Sequence, residues 1–262
     1  MAVLIAVYAG LLGTAFGSFA GLMADRLPVG ESVLAKRSHC SNEQCGRELG
    51  WFELVPVLSY LWLRGRCRAC GVRIPPRLMF VEIGMGALFT ITAARYGPTL
   101  ATVVAAAFIA LLFVISLVDW DRSLVLDKLT VFGTVFALLV APIAPWAAEG
   151  IVETWIRAGL GATVGFLVFF PIAFLAPRWL GFGDAKLAGL IGAMVGFPLV
   201  GVALWSGVAL GGIVGGALLA SGVRKRGQHI PFGPCLAGGA VFTFLYGRPF
   251  LDWYLELLRT GF

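Results

Sequence analysis

Ala101-Thr102-Val103-Val104-Ala105-Ala106-Ala107-Phe108-Ile109-Ala110-Leu111-Leu112-Phe113-Val114-Ile115-Ser116-Leu117-Val118 contains no charged side chain, and Asp119 follows at once. A helix needs about 20 predominantly apolar residues to cross the hydrocarbon core of a bilayer. Seven further stretches read the same way, at about 3–23, 79–95, 128–146, 157–176, 184–198, 201–221 and 232–247. The chain is 59% hydrophobic and 13% charged, whereas a soluble domain is nearer half apolar and a quarter charged. These figures exclude a soluble globular domain. They predict an all-α polytopic membrane protein with about eight transmembrane helices. The first stretch lacks the basic leading segment of a signal peptide, and Ala24-Asp25-Arg26-Leu27-Pro28 is a poor cleavage site, so it reads as a transmembrane helix. Gly211-Gly212 and Gly215-Gly216 suggest close helix packing in the 201–221 stretch.

Orientation follows from Lys and Arg. With the N-terminus outside, all but four of the 20 basic residues fall inside. The inside set is Arg26, Lys36, Arg37, Arg47, Arg64, Arg66, Arg68, Arg73, Arg77, Arg122, Lys128, Arg178, Lys186, Arg224, Lys225 and Arg226, leaving Arg95, Arg157, Arg248 and Arg259 outside. This asymmetry accounts for the net charge of +6 and points to membrane lipid as the contact. It calls for no nucleic acid, and no required protein partner is evident. The expected division is 1–96, the first helix, a polar loop and the second helix, then 97–262, nearly all membrane. The tail, 248–262, reads as amphipathic, with Trp253 and Tyr254 as interfacial anchors.

The loop between the first two helices is long, and four of the five cysteines lie in it: Cys40, Cys45, Cys67 and Cys70. Cys67 and Cys70 form a Cys-x-x-Cys followed by Gly71, a knuckle that lets two thiolates meet one ion. The orientation puts all four in the reducing cytoplasm, where disulfides rarely persist. A structural zinc on four thiolates is the expected staple, against a loop of unligated or redox-active thiols. His39 adjoins Cys40 as a competing ligand, and Cys235 reads as a small buried residue.

Carboxylates at a bilayer edge are costly unless paired or at work. Asp119, Asp121 and Asp127 join the third and fourth stretches; Gly181-Phe182-Gly183-Asp184-Ala185-Lys186 joins the fifth and sixth on the same side. Taken singly, Asp119 and Asp184 read as helix caps or interfacial charges. Asp127 suits the first turn of the next helix, Asp121 with Arg122 an ordinary pair, and Lys186 a neutralising or headgroup contact. Taken together, Asp119 and Asp184 have the makings of an acid–base pair. Two close carboxyls do not both ionise, so one can donate to a scissile carbonyl while the other activates water.

At these residues the chain resembles the type IV prepilin peptidase family, the bacterial GxGD membrane aspartyl proteases. Gly17-Ser18-Phe19 through Arg26-Leu27-Pro28 is similar to the family's opening. The Cys40–Cys70 loop, with Leu54-Val55-Pro56 and Leu63-Arg64-Gly65-Arg66, resembles its cytoplasmic cysteine domain. Val81-Glu82, Asp119 with Asp127, Gly181–Lys186 and Ile230-Pro231-Phe232-Gly233-Pro234 match further segments. The resemblance implies removal of the leader from type IV prepilins and type II secretion pseudopilins at the cytoplasmic face of the bacterial inner membrane. It also implies methylation of the new N-terminus with S-adenosylmethionine. It makes Asp119 and Asp184 the catalytic pair, with Asp121, Asp127, Gly181, Gly183 and Lys186 in support. The chain departs from the family pattern at Leu126, where proline is usual, at the widened Cys40/Cys45 spacing, and at Gly21. A proton-coupled transporter would place its carboxylates near the bilayer midplane in repeated halves. A zinc-stabilised assembly scaffold would tolerate Asp119→Asn.

Overall fold

The computed structural model describes residues 2–34, 37–148, 150–177, 180–222 and 231–260. Lys36, Arg178, Arg224, Lys225, Arg226 and Ile230 lie outside the described residues. The chain forms two compact units, 1–98 and 99–262.

The first unit is a helical pair with a small module inserted between its members. Helix α1 (Ala2–Arg26) and helix α3 (Pro76–Tyr96) lie side by side. The seam is built from small residues. A Cβ on Gly13 would come within 2.7 Å of the Met85 carbonyl oxygen, and one on Gly17 within 2.8 Å of Glu82 Cα. Backbones that approach so closely gain dispersion contact in a solvent that offers no hydrophobic drive. The outer face of α1 exposes Val3, Leu4, Val7, Tyr8, Leu11 and Leu12, the surface expected of a lipid-facing helix. The inserted module has little regular structure beyond α2 (Leu58–Trp62) and two isolated bridges, His39 with Glu48 and Arg66 with Arg73.

The second unit is a bundle of α4 (Leu100–Arg122), α5 (Asp127–Val140), α6 (Ile151–Leu175), α7 (Phe182–Val195), α8 (Leu199–Ala220) and α9 (Gly233–Thr260). Helix α7 sits in the middle, packed on α5, α6, α8 and α9 and buried from Asp184 to Val195 except at Lys186. Its closest seam is with α6, where a Cβ on Gly161, Gly165 or Gly192 would collide with the facing backbone. The glycine pairs expected to pack on α8 do not form such a seam. Gly212 and Gly216 have open space, Gly211 abuts Phe232, and the tight crossing is Gly207 of α8 against Gly239 of α9.

The long helices fall on the eight expected stretches, but among the described residues five are long and apolar enough to cross a membrane: α1, α3, α4, α6 and α8. Helices α5 and α7 have 14 residues each, about 21 Å at 1.5 Å per residue. The 128–146 stretch is cut at Val140 by a tight turn over Ala141–Ile143 that carries Pro142. The 184–198 stretch is cut at Val195 by Gly196, which takes φ 70, with Pro198 just beyond. A short α7 is tolerable because its surroundings are other helices and not lipid. The expected separate tail is instead the last part of α9, which continues through Pro249 to Thr260.

Candidate active site and metal centre

Asp119 lies in the last turn of α4 and is 3% exposed. Ser123 ends that helix in the left-handed conformation, donating its N–H to the Asp119 carbonyl at 2.7 Å. The Asp119 side chain points to a different helix: its Oδ2 accepts the Gly233 N–H at 2.8 Å. Gly233 opens α9, and the first N–H groups of a helix have no partner inside it. Asp119 thus caps α9 from across the bundle. Only glycine fits there, since a Cβ on Gly233 would come within 2.7 Å of Asp119 Oδ2 and 3.2 Å of its Cγ.

Asp184 is the third residue of α7 and is 5% exposed. Its Oδ2 accepts the Gly181 N–H at 3.1 Å while its own N–H donates to the Gly181 carbonyl at 3.0 Å. The carboxylate is therefore locked by the turn that precedes it. Two contacts tie this turn to the segment after Asp119. A Cβ on Gly183 would come within 2.8 Å of Val125 Cβ, so the missing side chain admits that residue. Lys186 Nζ meets Asp127 Oδ1 at 2.7 Å and also lies over the Phe182 ring. Asp127 occupies the first turn of α5; Asp121 is exposed near the end of α4. Leu126 precedes α5 at φ −74, a value that proline would also take, and its carbonyl accepts from Leu129 and Thr130. The departure at Leu126 leaves the local turn intact.

In the first unit, the four thiols of Cys40, Cys45, Cys67 and Cys70 lie within 4.8 Å of one another. Cys40 and Cys70 sulfurs are 3.6 Å apart. The two knuckles present them. Cys40 donates its N–H to the Arg47 carbonyl, and Cys67 its N–H to that of Val72. The two extra residues between Cys40 and Cys45 are absorbed by a turn in which the Cys45 and Gly46 N–H groups both donate to Asn42. Such a set could hold one metal ion. His39 is outside it, its Nδ1 being 3.4 Å from the Arg37 carbonyl. Without a metal the thiols titrate apart. The N–H groups of Cys70 and Ala69 pull the Cys67 thiol down to about 6. At Cys40 the Asn42 N–H acts in the same direction, but burial and the neighbouring sulfurs outweigh it and push that thiol up to about 12.

These geometries meet their counterparts in known proteins. Residues 11–96 match the family model described as the bacterial peptidase A24 N-terminal domain, and residues 106–220 match the type IV leader peptidase family. A Bacillus subtilis protein named prepilin leader peptidase/N-methyltransferase is 31% identical over 247 residues, covering 94% of this chain and 96% of the relative. The chain belongs to the type IV leader peptidase family. A Pseudomonas putida protein of the same name is also 31% identical, with 95% of this chain and 93% of the relative covered. No solved structure matches this chain. As a member of that family with five helices fit to span, it is an integral membrane protein.

Sequence reading missed three partners that hold this leader peptidase family member together. Gly233 was visible only as part of a motif; the cue was the Pro231-Phe232-Gly233-Pro234 frame at the start of an apolar run. Glu82, on α3, is buried and accepts the Val57 N–H at 2.6 Å, while Val57 sits at φ 61, a strained setting for a β-branched residue. Glu53 is the third. Burial opposes its charge, but the Gly50 N–H and the Arg47 and Arg68 guanidiniums prevail and hold its carboxyl below the ordinary range. A depressed carboxyl stabilises the folded state above the usual carboxylate range, and that contribution disappears as pH falls through the lowered value. Glu53→Gln is expected to cost about 1–3 kcal/mol at neutral pH and to flatten the acid limb of a thermal-melt series run on the full-length protein. Equal melting of the variant and wild type at neutral pH would contradict this.

Proposed function

We propose that the chain is a membrane aspartyl endopeptidase that removes the leader of type IV prepilins or type II secretion pseudopilins and then methylates the new N-terminus. The single observation that carries the reading is the placement of two buried carboxylates, Asp119 and Asp184, on segments joined by Lys186–Asp127 and by Gly183 against Val125. Each carboxylate is held by a backbone N–H. In the proposed reaction one carboxylate takes a proton from water, which attacks the scissile carbonyl carbon. The other, protonated, donates to the carbonyl oxygen and later shares in protonating the leaving amine. Gly181 and Gly233 orient the pair, and Gly183, Lys186 and Asp127 keep the two segments in register. Asp121, exposed at the mouth, contacts substrate or headgroups.

The metal is zinc in this reading. A tetrahedral ion with Zn–S bonds of about 2.3 Å sets its sulfurs about 3.8 Å apart, close to the 3.6 Å between Cys40 and Cys70. The role is structural. The methyl donor, S-adenosylmethionine, rests on the relatives' printed name. Among the described residues there is no strand, hence no strand–glycine turn–helix cradle for it, and none of the residues above is assigned to methyl transfer. The proposed setting is the bacterial inner membrane, N-terminus outside, with both aspartates toward the cytoplasm.

The test is co-expression with a prepilin, reading gel mobility and N-terminal mass of the product. Loss of the leader supports the peptidase, and gain of one methyl group supports the second activity. A prepilin that stays full length beside well-expressed enzyme would overturn the reading. A finer prediction concerns Gly233→Ala. The added methyl pushes on Asp119, so cleavage should fall by at least about tenfold, the factor for a misplacement of about 1.4 kcal/mol, with normal membrane accumulation. Unchanged cleavage would separate Gly233 from the site.

A further inference from the structure

The end of the second unit away from the aspartates holds a cavity of 620 Å³. The run of α7 from Asp184 to Gly196 places it roughly 18 Å from the site described above. Its walls include Trp146, Glu153, Arg157, Gly196, Arg248 and Asp252. Trp146 is 8% exposed and packs in a three-ring cluster with Phe108 and Phe244, at centroid distances of 5.7 and 5.4 Å. Its Nε1 is buried and has no hydrogen-bond partner among the described residues. A Cβ on Gly196 would stand 3.5 Å from Trp146 Cδ1, so the ring edge that carries Nε1 faces the cavity wall. A buried donor without an acceptor is costly and rare.

The charges around the cavity are unevenly satisfied. Arg157 is neutralised by Glu153. Arg248 donates to the Trp146 carbonyl at 3.3 Å and makes no ion pair among the described residues. Asp252, one turn further along α9, makes none either. The cavity thus offers guanidinium groups to an anion and a carboxylate to a cation. Val152, Trp155 and Phe197 around it are exposed and apolar, as befits a surface in contact with lipid.

We propose that this cavity binds a zwitterionic phosphoethanolamine headgroup, with phosphodiester oxygens on Arg157 and Arg248 and the primary ammonium on Asp252. The apolar surroundings favour delivery as phosphatidylethanolamine; a soluble ester is the other source of the same chemistry. The experiment is thermal unfolding of delipidated full-length protein in detergent with phosphatidylethanolamine, phosphatidylglycerol or soluble glycerophosphoethanolamine, with retained lipid counted by native mass spectrometry. Wild type should gain several degrees with phosphatidylethanolamine and clearly less with phosphatidylglycerol. Arg248→Gln should lose most of the gain, and Asp252→Asn should respond alike to both lipids. A gain from the lipid alone assigns the bilayer as source, and an equal gain from the soluble ester assigns a free ligand. Equal stabilisation of wild type by both lipids overturns the proposal without recourse to any variant. So does an undiminished phosphatidylethanolamine response in both variants. Leader cleavage is a separate readout, so failure of the peptidase reading would leave this result standing.

Discussion

Prepilin co-expressed with the Asp119→Asn or Asp184→Asn variant is expected to keep its leader, while the variant accumulates in the membrane as wild type does. Asparagine has the size of aspartate and keeps a carbonyl oxygen. The Gly233 N–H can still donate to residue 119 and the Gly181 N–H to residue 184, so the helix starts remain capped. What is lost is a group that can take and give a proton. General acid–base assistance contributes typically 10²–10⁴-fold, and an amide at either position forfeits it. Each single variant should therefore fall by at least that factor, and the double variant should fall little further, because the two groups act as one device. The readout is the fraction of pilin with leader against time, normalised to enzyme in the membrane. Full cleavage by both variants would return Asp119 and Asp184 to the role of caps and favour an assembly scaffold.

Cys67→Ser is expected to remove the metal and unfold the module between α1 and α3. Among its described residues the module has no helix longer than the five residues of α2, so a staple is expected to supply its order. When a site is assembled only in the folded state, metal affinity is folding free energy. Backbone N–H groups of Cys70 and Ala69 pull the Cys67 thiol down to about 6, which favours the thiolate a metal needs at neutral pH. Elemental analysis of purified wild type should give one zinc per chain and the variant far less. Limited proteolysis should then cut between residues 37 and 74 in the variant alone. Acidification should release metal from wild type as protons compete for the thiolates. Wild type purified without zinc and still resistant to protease would remove the metal from the account.

The apolar runs named the helices because lipid imposes one rule on every span: twenty or so residues without charge. That rule does not fix where a helix stops, which is why the stretches at 128–146 and 184–198 were read whole although α5 and α7 within them have 14 residues each. The same rule hid the end of α9, whose mixed composition resembles a surface tail although the backbone continues as helix through Pro249. Asp119 and Asp184 stood out because their charge interrupts or borders an apolar run. Gly233 did not, because its contribution is an N–H and an absent side chain, neither of which has a signature apart from the partner they meet 114 positions away. Lys186 and Asp127 were both noticed, but their pairing across 59 positions is a property of the packed bundle. On α8 the sequence offered several glycines and no means to choose among them; the choice is made by where α9 crosses.

The seam between α6 and α7 has a consequence for how a substrate is measured. Gly161, Gly165 and Gly192 bring two backbones together so closely that neither helix can slide along the other without a collision. The first turn of α7, with Asp184, is thereby held at one fixed depth. In the proposed reaction the enzyme then works as a depth gauge. The bond it reaches is the one that the substrate's own apolar helix suspends at that level.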